Sequence, residues 1–293
     1  MKKRSTISTV ILILVFLIGL SVMLYPTVSD FLNSISQSRY ISGYKNEVAE
    51  LNQQEYDSIL KAARDYNAGL LGNTARFEPT PEETLRYEHL LRVDEAGVMG
   101  YLEIPKIDVY LPMYHGVSES VLEVGIGHIE GSSLPIGGAG THTLLSGHRG
   151  LPSAKIFTDL DKLEIGDSFS IKVLNETMTY EIEEIQTVLP SEVEALAIAP
   201  SRDLCTLVTC TPYGVNSHRL LITGVRVDTE IVPGEKTKLH VVADAVQIDP
   251  IYVAPVMGAP ILILIVVYML IRAGITRRGL AEKSRDKEES RKT

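Results

Sequence analysis

Thr206 to Arg219 reads TLVTCTPYGVNSHR. Cys210 closes an apolar, β-branched run; a turn of Pro212, Tyr213, Gly214 and Asn216 follows; and an apolar run resumes at Arg219. This order sets a thiol and a guanidinium on the ends of neighbouring strands. Such a pair suits acyl transfer, with Cys210 as nucleophile and Arg219 as a fixed donor to a developing oxyanion. Arg219 stays charged at any working pH, so it cannot serve as the base. The plainer alternative for Arg219 is a surface ion pair with one of the chain's many carboxylates.

The attacking species is the thiolate, so Cys210 needs a partner that takes its proton. Seven histidines are available, at 89, 115, 128, 142, 148, 218 and 240. His148 is the best placed by local sequence. It ends the strand-like THTLLSGH and opens the loop RGLPS, and strand ends on loops are where barrels carry function. His142, six residues earlier, would share its face but lie deeper in the strand. His218 neighbours Arg219, and neighbours on a strand point apart. For each histidine a hydrogen-bonded structural role stays open.

The chain has only two cysteines, Cys205 and Cys210. On one strand they would lie roughly 16 Å apart, beyond the ~7 Å that a disulfide spans, and they would point to opposite faces. Cys205 then reads as a small buried apolar residue and Cys210 as a free thiol. No HExxH, CxxC or EF-hand pattern suggests a metal, and none is expected. No cofactor is expected either: the glycines of GIGHIEGSS, from Gly125, do not match a dinucleotide fingerprint. The absence of GxSxG argues against a serine hydrolase.

What must position these groups is read from the ends inward. Ile7 to Tyr25 and Ile251 to Ile271 carry no charged residue, and each approaches the ~20 residues of a helical membrane span. Pro255 and Pro260 are tolerated there. The first segment has too long an apolar core for a cleaved leader and lacks a small-residue cleavage pattern before Pro26. Lys2, Lys3 and Arg4 precede the first span, and Arg272, Arg277 and Arg278 follow the second. Both termini are therefore expected in the cytoplasm. The tails hold eleven Lys and Arg against four Asp and Glu, +7 in all. Residues between the spans hold seventeen against thirty-three, −16, within a chain total of −9. An acidic outer domain disfavours nucleic acid, whereas the basic tails suit anionic lipid.

Between the spans, Pro26 to Gly72 has a helical apolar stripe through Tyr44, Val48, Leu51, Ile59, Leu60, Ala63 and Tyr66. Asn73 to Glu83, with Pro79 and Pro81, reads as a loop. Strands are expected at Val98–Ile104, Val109–Tyr114, Thr141–Ser146, Ser168–Val173, Met178–Val188, Leu204–Cys210 and Leu220–Val227, with a short helix at Ser118–Val124. Val241–Val246 either adds to the barrel or links to the membrane. Many short strands between frequent turns imply a sandwich or a closed barrel. Glu282 to Thr293 reads as a charged, disordered tail.

Four stretches carry a family likeness: LEIPKIDVYLPMYHG (Leu102 to Gly116), GIGHIEGSSLPIGG (Gly125 to Gly138), THTLLSGHRGLPSAKIFTDLDKLEIGD (Thr141 to Asp167) and TLVTCTPYGVNSHRLLITG (Thr206 to Gly224). With the two-span layout, the chain resembles the class C, or pilin-polymerising, sortases. The resemblance implies a mainly β fold: a closed eight-stranded sortase-type β-barrel with an N-terminal helical arm and two flanking transmembrane helices. The expected layout is a basic N-terminus (1–6), a span (7–25), an arm with a lid loop (26–96), the catalytic barrel (97–246), a second span (251–271) and a charged tail (272–293). The resemblance assigns catalysis to Cys210, His148 and Arg219, with Thr209 as a substrate or oxyanion contact. The implied reaction cleaves an LPXTG-like sorting signal through a thioacyl intermediate, then passes the acyl group to the Lys amine of another pilin. Attachment to cell-wall peptide, hydrolysis and a non-catalytic scaffold are the alternatives. Class C members commonly carry an Asp-Pro-aromatic lid over the nucleophile; no such tripeptide occurs here. The nearest stretch, Phe77-Glu78-Pro79, reads either as an aromatic near Cys210 with a carboxylate near Arg219, or as an ordinary loop, the reading favoured.

Overall fold

The computed structural model describes residues 2 to 227. The second expected span, Val241–Val246 and the charged tail lie outside the described residues. Helix α1 runs over Lys2–Glu50 as one helix of 49 residues through Pro26. Within it lies a segment long and apolar enough to cross a membrane. Past that segment, Gln37, Ile41, Tyr44 and Val48 are buried, one stripe at helical spacing. The Tyr44 hydroxyl donates to the Met99 carbonyl at 3.0 Å and accepts the Leu174 N–H at 2.7 Å, which ties the arm to the barrel. Burial pushes its phenol up.

The arm breaks at Leu51, and α2 spans Gln53–Leu70. Asn52 caps it reciprocally: its side chain accepts the Glu55 N–H, and Glu55 accepts the Asn52 N–H, each at 3.0 Å. Within α2, buried Asn67 donates to the Leu134 carbonyl at 3.0 Å and accepts its N–H at 2.7 Å. Asn67→Ala would orphan both backbone groups. A loss of about 2–4 kcal/mol is expected, read as a lower urea midpoint at unchanged slope.

The loop expected over Asn73–Glu83 is shorter than that, because helix α3 begins at Pro81 and runs to Tyr87. Its start is written in Thr80-Pro81-Glu82-Glu83: a capping Thr, Pro in the first turn and Glu three residues on.

Eight strands close into a barrel in the order β1-β2-β3-β4-β7-β8-β6-β5. They are β1 (Val98–Ile104), β2 (Val109–His115), β3 (Ile126–His128), β4 (Thr141–Ser146), β5 (Ser168–Val173), β6 (Glu176–Val188), β7 (Asp203–Thr211) and β8 (His218–Val227). Helix α4, Glu119–Leu122, joins β2 to β3. Three strands match the expected bounds and four differ by one or two residues at one or both ends. β3 is the element with no expectation: three residues flanked and interrupted by Gly125 and Gly127 show no alternation. Leu102, Met113, Leu145, Ile171, Tyr180, Leu207 and Ile222 are buried in the core, with Phe169 and Tyr180 stacked 5.5 Å apart. Two pairings are parallel, β2 with β3 and β4 with β7. The second of these decides what lies beside Cys210.

Candidate active site

β7 and β8 are antiparallel, with Cys210 directly opposite Arg219 and Thr209 opposite Leu220. Directly opposed residues project to the same face of a sheet, with Cβ atoms ~5 Å apart. Thiol and guanidinium therefore share a face. Side chains alternate along β7: Cys205 and Leu207 point into the core, so Thr206, Val208 and Cys210 face outward. Cys210 is half-buried, and both cysteines are free. Burial, with Asp203 adding to it, holds the Cys205 thiol well up.

β4 lies beside β7 in parallel, with Ser146 opposite Val208. The chain leaves β4 held to β7 by two more bonds: Gly147 N–H donates to the Val208 carbonyl at 3.1 Å, and the Thr209 hydroxyl donates to the Gly147 carbonyl at 2.8 Å. His148 thus starts its loop beside the end of β7 that carries Cys210. Gly147 cannot be larger, because a Cβ there would meet the Phe157 ring at 2.6 Å. Thr209 is 2 % exposed. Its hydroxyl proton is spent on Gly147, which braces the rim beside Cys210.

His148 Nε2 lies 3.3 Å from a carboxylate oxygen of Glu119, without the alignment of a hydrogen bond. Glu119, the first residue of α4, was not foreseeable from its own neighbourhood; a β2–β3 connection brings it in. Arg149 is a second such residue. It donates to the Thr211 hydroxyl at 3.2 Å and to Asp161 at 2.5 Å, which links the His148 loop to the residue after Cys210. Arg219 donates through Nη1 to the carbonyls of Asn216 and His218, at 3.3 and 3.2 Å.

The other histidines separate by geometry. His142 is 1 % exposed. Its Nδ1 meets the Ala197 carbonyl at 2.9 Å and its Nε2 the Thr206 hydroxyl at 2.7 Å. Both ring nitrogens are engaged, deep on the strand. His218 pairs with Thr211 and touches Ser217, on the face opposite Arg219. His128 is fully buried. Its Nδ1 lies 2.8 Å from the Tyr87 hydroxyl, and its Nε2 lies 2.9 Å from the Ser133 carbonyl.

Burial lowers the pKa of His128 to about 4 and lowers those of His115 and His142 as well. The folded state therefore favours neutral rings, and the unfolded chain binds more protons between pH ~6.5 and 4. This stability is complete above ~6.5 and lost as pH falls toward 4, on the order of 3 kcal/mol for His128. Denaturation midpoints measured across pH 7.5 to 4 are expected to fall, and less steeply in His128→Gln.

Phe77 and Glu78 follow Arg76, whose side chain is held at Gly131. The Arg76 guanidinium donates to the Gly131 and Leu196 carbonyls at 2.9 and 2.6 Å and lies 4.2 Å from the centre of the Phe77 ring. Gly131 sits level with His142 and Leu144, to which its neighbours Ser133 and Ile129 bond. On β7 that level is Leu204 to Thr206, four to six residues from Cys210, or roughly 13–20 Å. Arg76 anchors this segment to the β3–β4 connection. Among the described residues, no group of three His, Cys, Asp or Glu side chains is arranged to hold a metal.

Comparison with known proteins follows the same outline. The Sortase domain family matches residues 102–227. The chain is 49 % identical to the solved structure of sortase C1 from Streptococcus agalactiae, with a TM-score of 0.63, over 66 % of this chain and 100 % of that one. For sortase C-1 of Actinomyces oris the identity is 43 % and the TM-score 0.56, over 59 % and 99 %. Sortase D of Bacillus subtilis (strain 168) is 32 % identical over 44 % of this chain. The matched stretch spans 63 % of that sortase D and 47 % of the sortase A of Streptococcus agalactiae.

Proposed function

The chain belongs to the class C sortases, and on that premise we propose that it is a membrane-anchored cysteine transpeptidase joining pilin subunits. The observation that carries this reading is the pairing of Cys210 with Arg219 across β7 and β8, beside a β4 end pinned at Gly147.

In the proposed reaction the Cys210 thiolate attacks the Thr carbonyl of an LPXTG-like signal. The Thr–Gly C–N bond breaks as His148 gives its proton to the leaving Gly amine. A thioester remains on Cys210. The ε-amine of an acceptor Lys then attacks; His148 takes its proton, and the sulfur leaves. One peptide bond is exchanged for one isopeptide bond, and a Gly-headed fragment is released. Arg219 stabilises the oxyanion in both steps. The catalytic domain is assigned to residues 97–246, outside the cell, between spans at 7–25 and 251–271 that leave both termini cytoplasmic.

Purified protein mixed with pilin bearing the signal is expected to form covalent ladders. Transfer to a wall-peptide amine with no ladder would replace polymerisation by wall attachment. Arg219→Lys keeps the charge but loses the planar fork. A fall in kcat of about 10²-fold is expected, with a smaller change in KM, read by steady-state cleavage of a fluorogenic signal peptide.

A further inference from the structure

Three polar side chains of α1, Asp30, Asn33 and Gln37, fall on one face of the helix at spacings of three and four residues. They continue, toward the membrane segment, the same stripe that buries Ile41, Tyr44 and Val48. Two reach backbone groups of the loop that begins at His148, and the third reaches a backbone group just past α4. An oxygen of Asp30 accepts the Lys155 N–H at 2.7 Å, and Asn33 donates to the Ser153 carbonyl at 2.8 Å. Gln37, 7 % exposed, donates to the Val124 carbonyl at 3.0 Å.

The first two partners belong to the loop that begins with His148. That loop is closed on itself. Phe157 N–H donates to the His148 carbonyl at 3.0 Å, Gly150 N–H to the Thr158 hydroxyl at 3.1 Å and Thr158 N–H to the Lys155 carbonyl at 2.7 Å. A displacement at Ser153 or Lys155 is thus passed to His148 through two or three bonds. The third partner, Val124, follows α4, whose Glu119 faces the imidazole at 3.3 Å. One helix face thus contacts both the loop that begins at His148 and the end of the segment that carries Glu119. Asp30 is also the first charged residue after Arg4, about 8 Å of helix rise beyond Tyr25.

We propose that Asp30, Asn33 and Gln37 are positioning residues for His148, so that the helix of the membrane anchor sets the geometry of the imidazole. The proposal rests on the catalytic reading of His148, and its test separates the two. Two nearly isosteric changes give opposite expectations. Asp30→Asn keeps an acceptor oxygen for Lys155 N–H. Asn33→Asp removes the donor and turns a carboxylate oxygen on the Ser153 carbonyl.

Full-length protein in detergent micelles, labelled with ¹³C-histidine, provides two readouts. The His148 ring signals are assigned by their loss in His148→Asn. Asn33→Asp is expected to shift or broaden them and to lower kcat roughly tenfold, with KM within twofold. Asp30→Asn should match wild type in both, and Asp30→Ala, on an exposed helix, should resemble Asn33→Asp. Unchanged ring signals in Asn33→Asp and Asp30→Ala would overturn the proposal, whatever the rates. A wild-type protein without turnover would instead sink the transpeptidase reading, while the ring signals would still decide the positioning role.

Discussion

Cys210→Ala is expected to remove all acyl transfer while leaving the barrel folded. The substitution deletes a half-buried sulfur at the penultimate residue of β7 and touches none of the backbone pairings that hold the strand. The neighbouring Thr209 offers no replacement nucleophile, being buried with its proton committed to Gly147. Loss of a nucleophile that works as a unit with its base costs on the order of 10⁶ in kcat, which here means no detectable thioester or ladder. Cys205→Ala provides the contrast. That thiol is fully buried in the core and held protonated by its surroundings, so its loss costs about 1 kcal/mol of stability and little activity. Intact-mass measurement after iodoacetamide treatment of the folded protein should show one adduct on wild type, one on Cys205→Ala and none on Cys210→Ala. An adduct retained by Cys210→Ala would show that the accessible thiol has been misassigned.

His148→Ala is expected to have the next largest effect, a loss of about 10²–10⁴ in kcat. The position is suited to isolate chemistry from structure. His148 contributes its carbonyl to Phe157, which any residue supplies, and its Nε2 has no hydrogen bond to lose. The loop should therefore persist, with Gly147 still bonded to Val208 and Arg149 still bonded to Thr211 and Asp161. In the proposed reaction both half-reactions need the ring, first as acid for the leaving amine and then as base for the incoming one. Thioester formation and its transfer to amine should slow together in single-turnover assays. A variant that forms thioester at the wild-type rate would remove His148 from the first step. His142→Gln should behave differently. Its two ring contacts tie β4 to the Ala197 carbonyl and to Thr206, so stability should fall before kcat does.

The residues Thr206 to Arg219 determined their own arrangement. A strand, a turn with Gly214 and Asn216 and a second strand form a local hairpin, and its register alone puts Cys210 opposite Arg219. The strand bounds at Val98–Ile104, Thr141–Ser146 and Ser168–Val173 were equally legible: the last alternates in burial, and the first two are short runs bounded by Gly97 and Pro105 and by Gly140 and Gly147. Helix α3 was legible too, in the cap at Thr80, where two prolines suggested only a loop. β3 was not, since three residues, one of them Gly127, carry no period.

What lies beside the Cys210–Arg219 pair was a tertiary decision. Leu145 opposite Leu207 and Ser146 opposite Val208 are contacts across some sixty residues of chain, and no local propensity encodes a parallel register. The same holds for Glu119, Arg149 and the α1 contacts at Ser153 and Lys155, where the partner is a backbone group that any sequence would offer. Side-chain type announces which chemistry is available. Burial, and the spending of each polar group on a neighbour, decide who performs it.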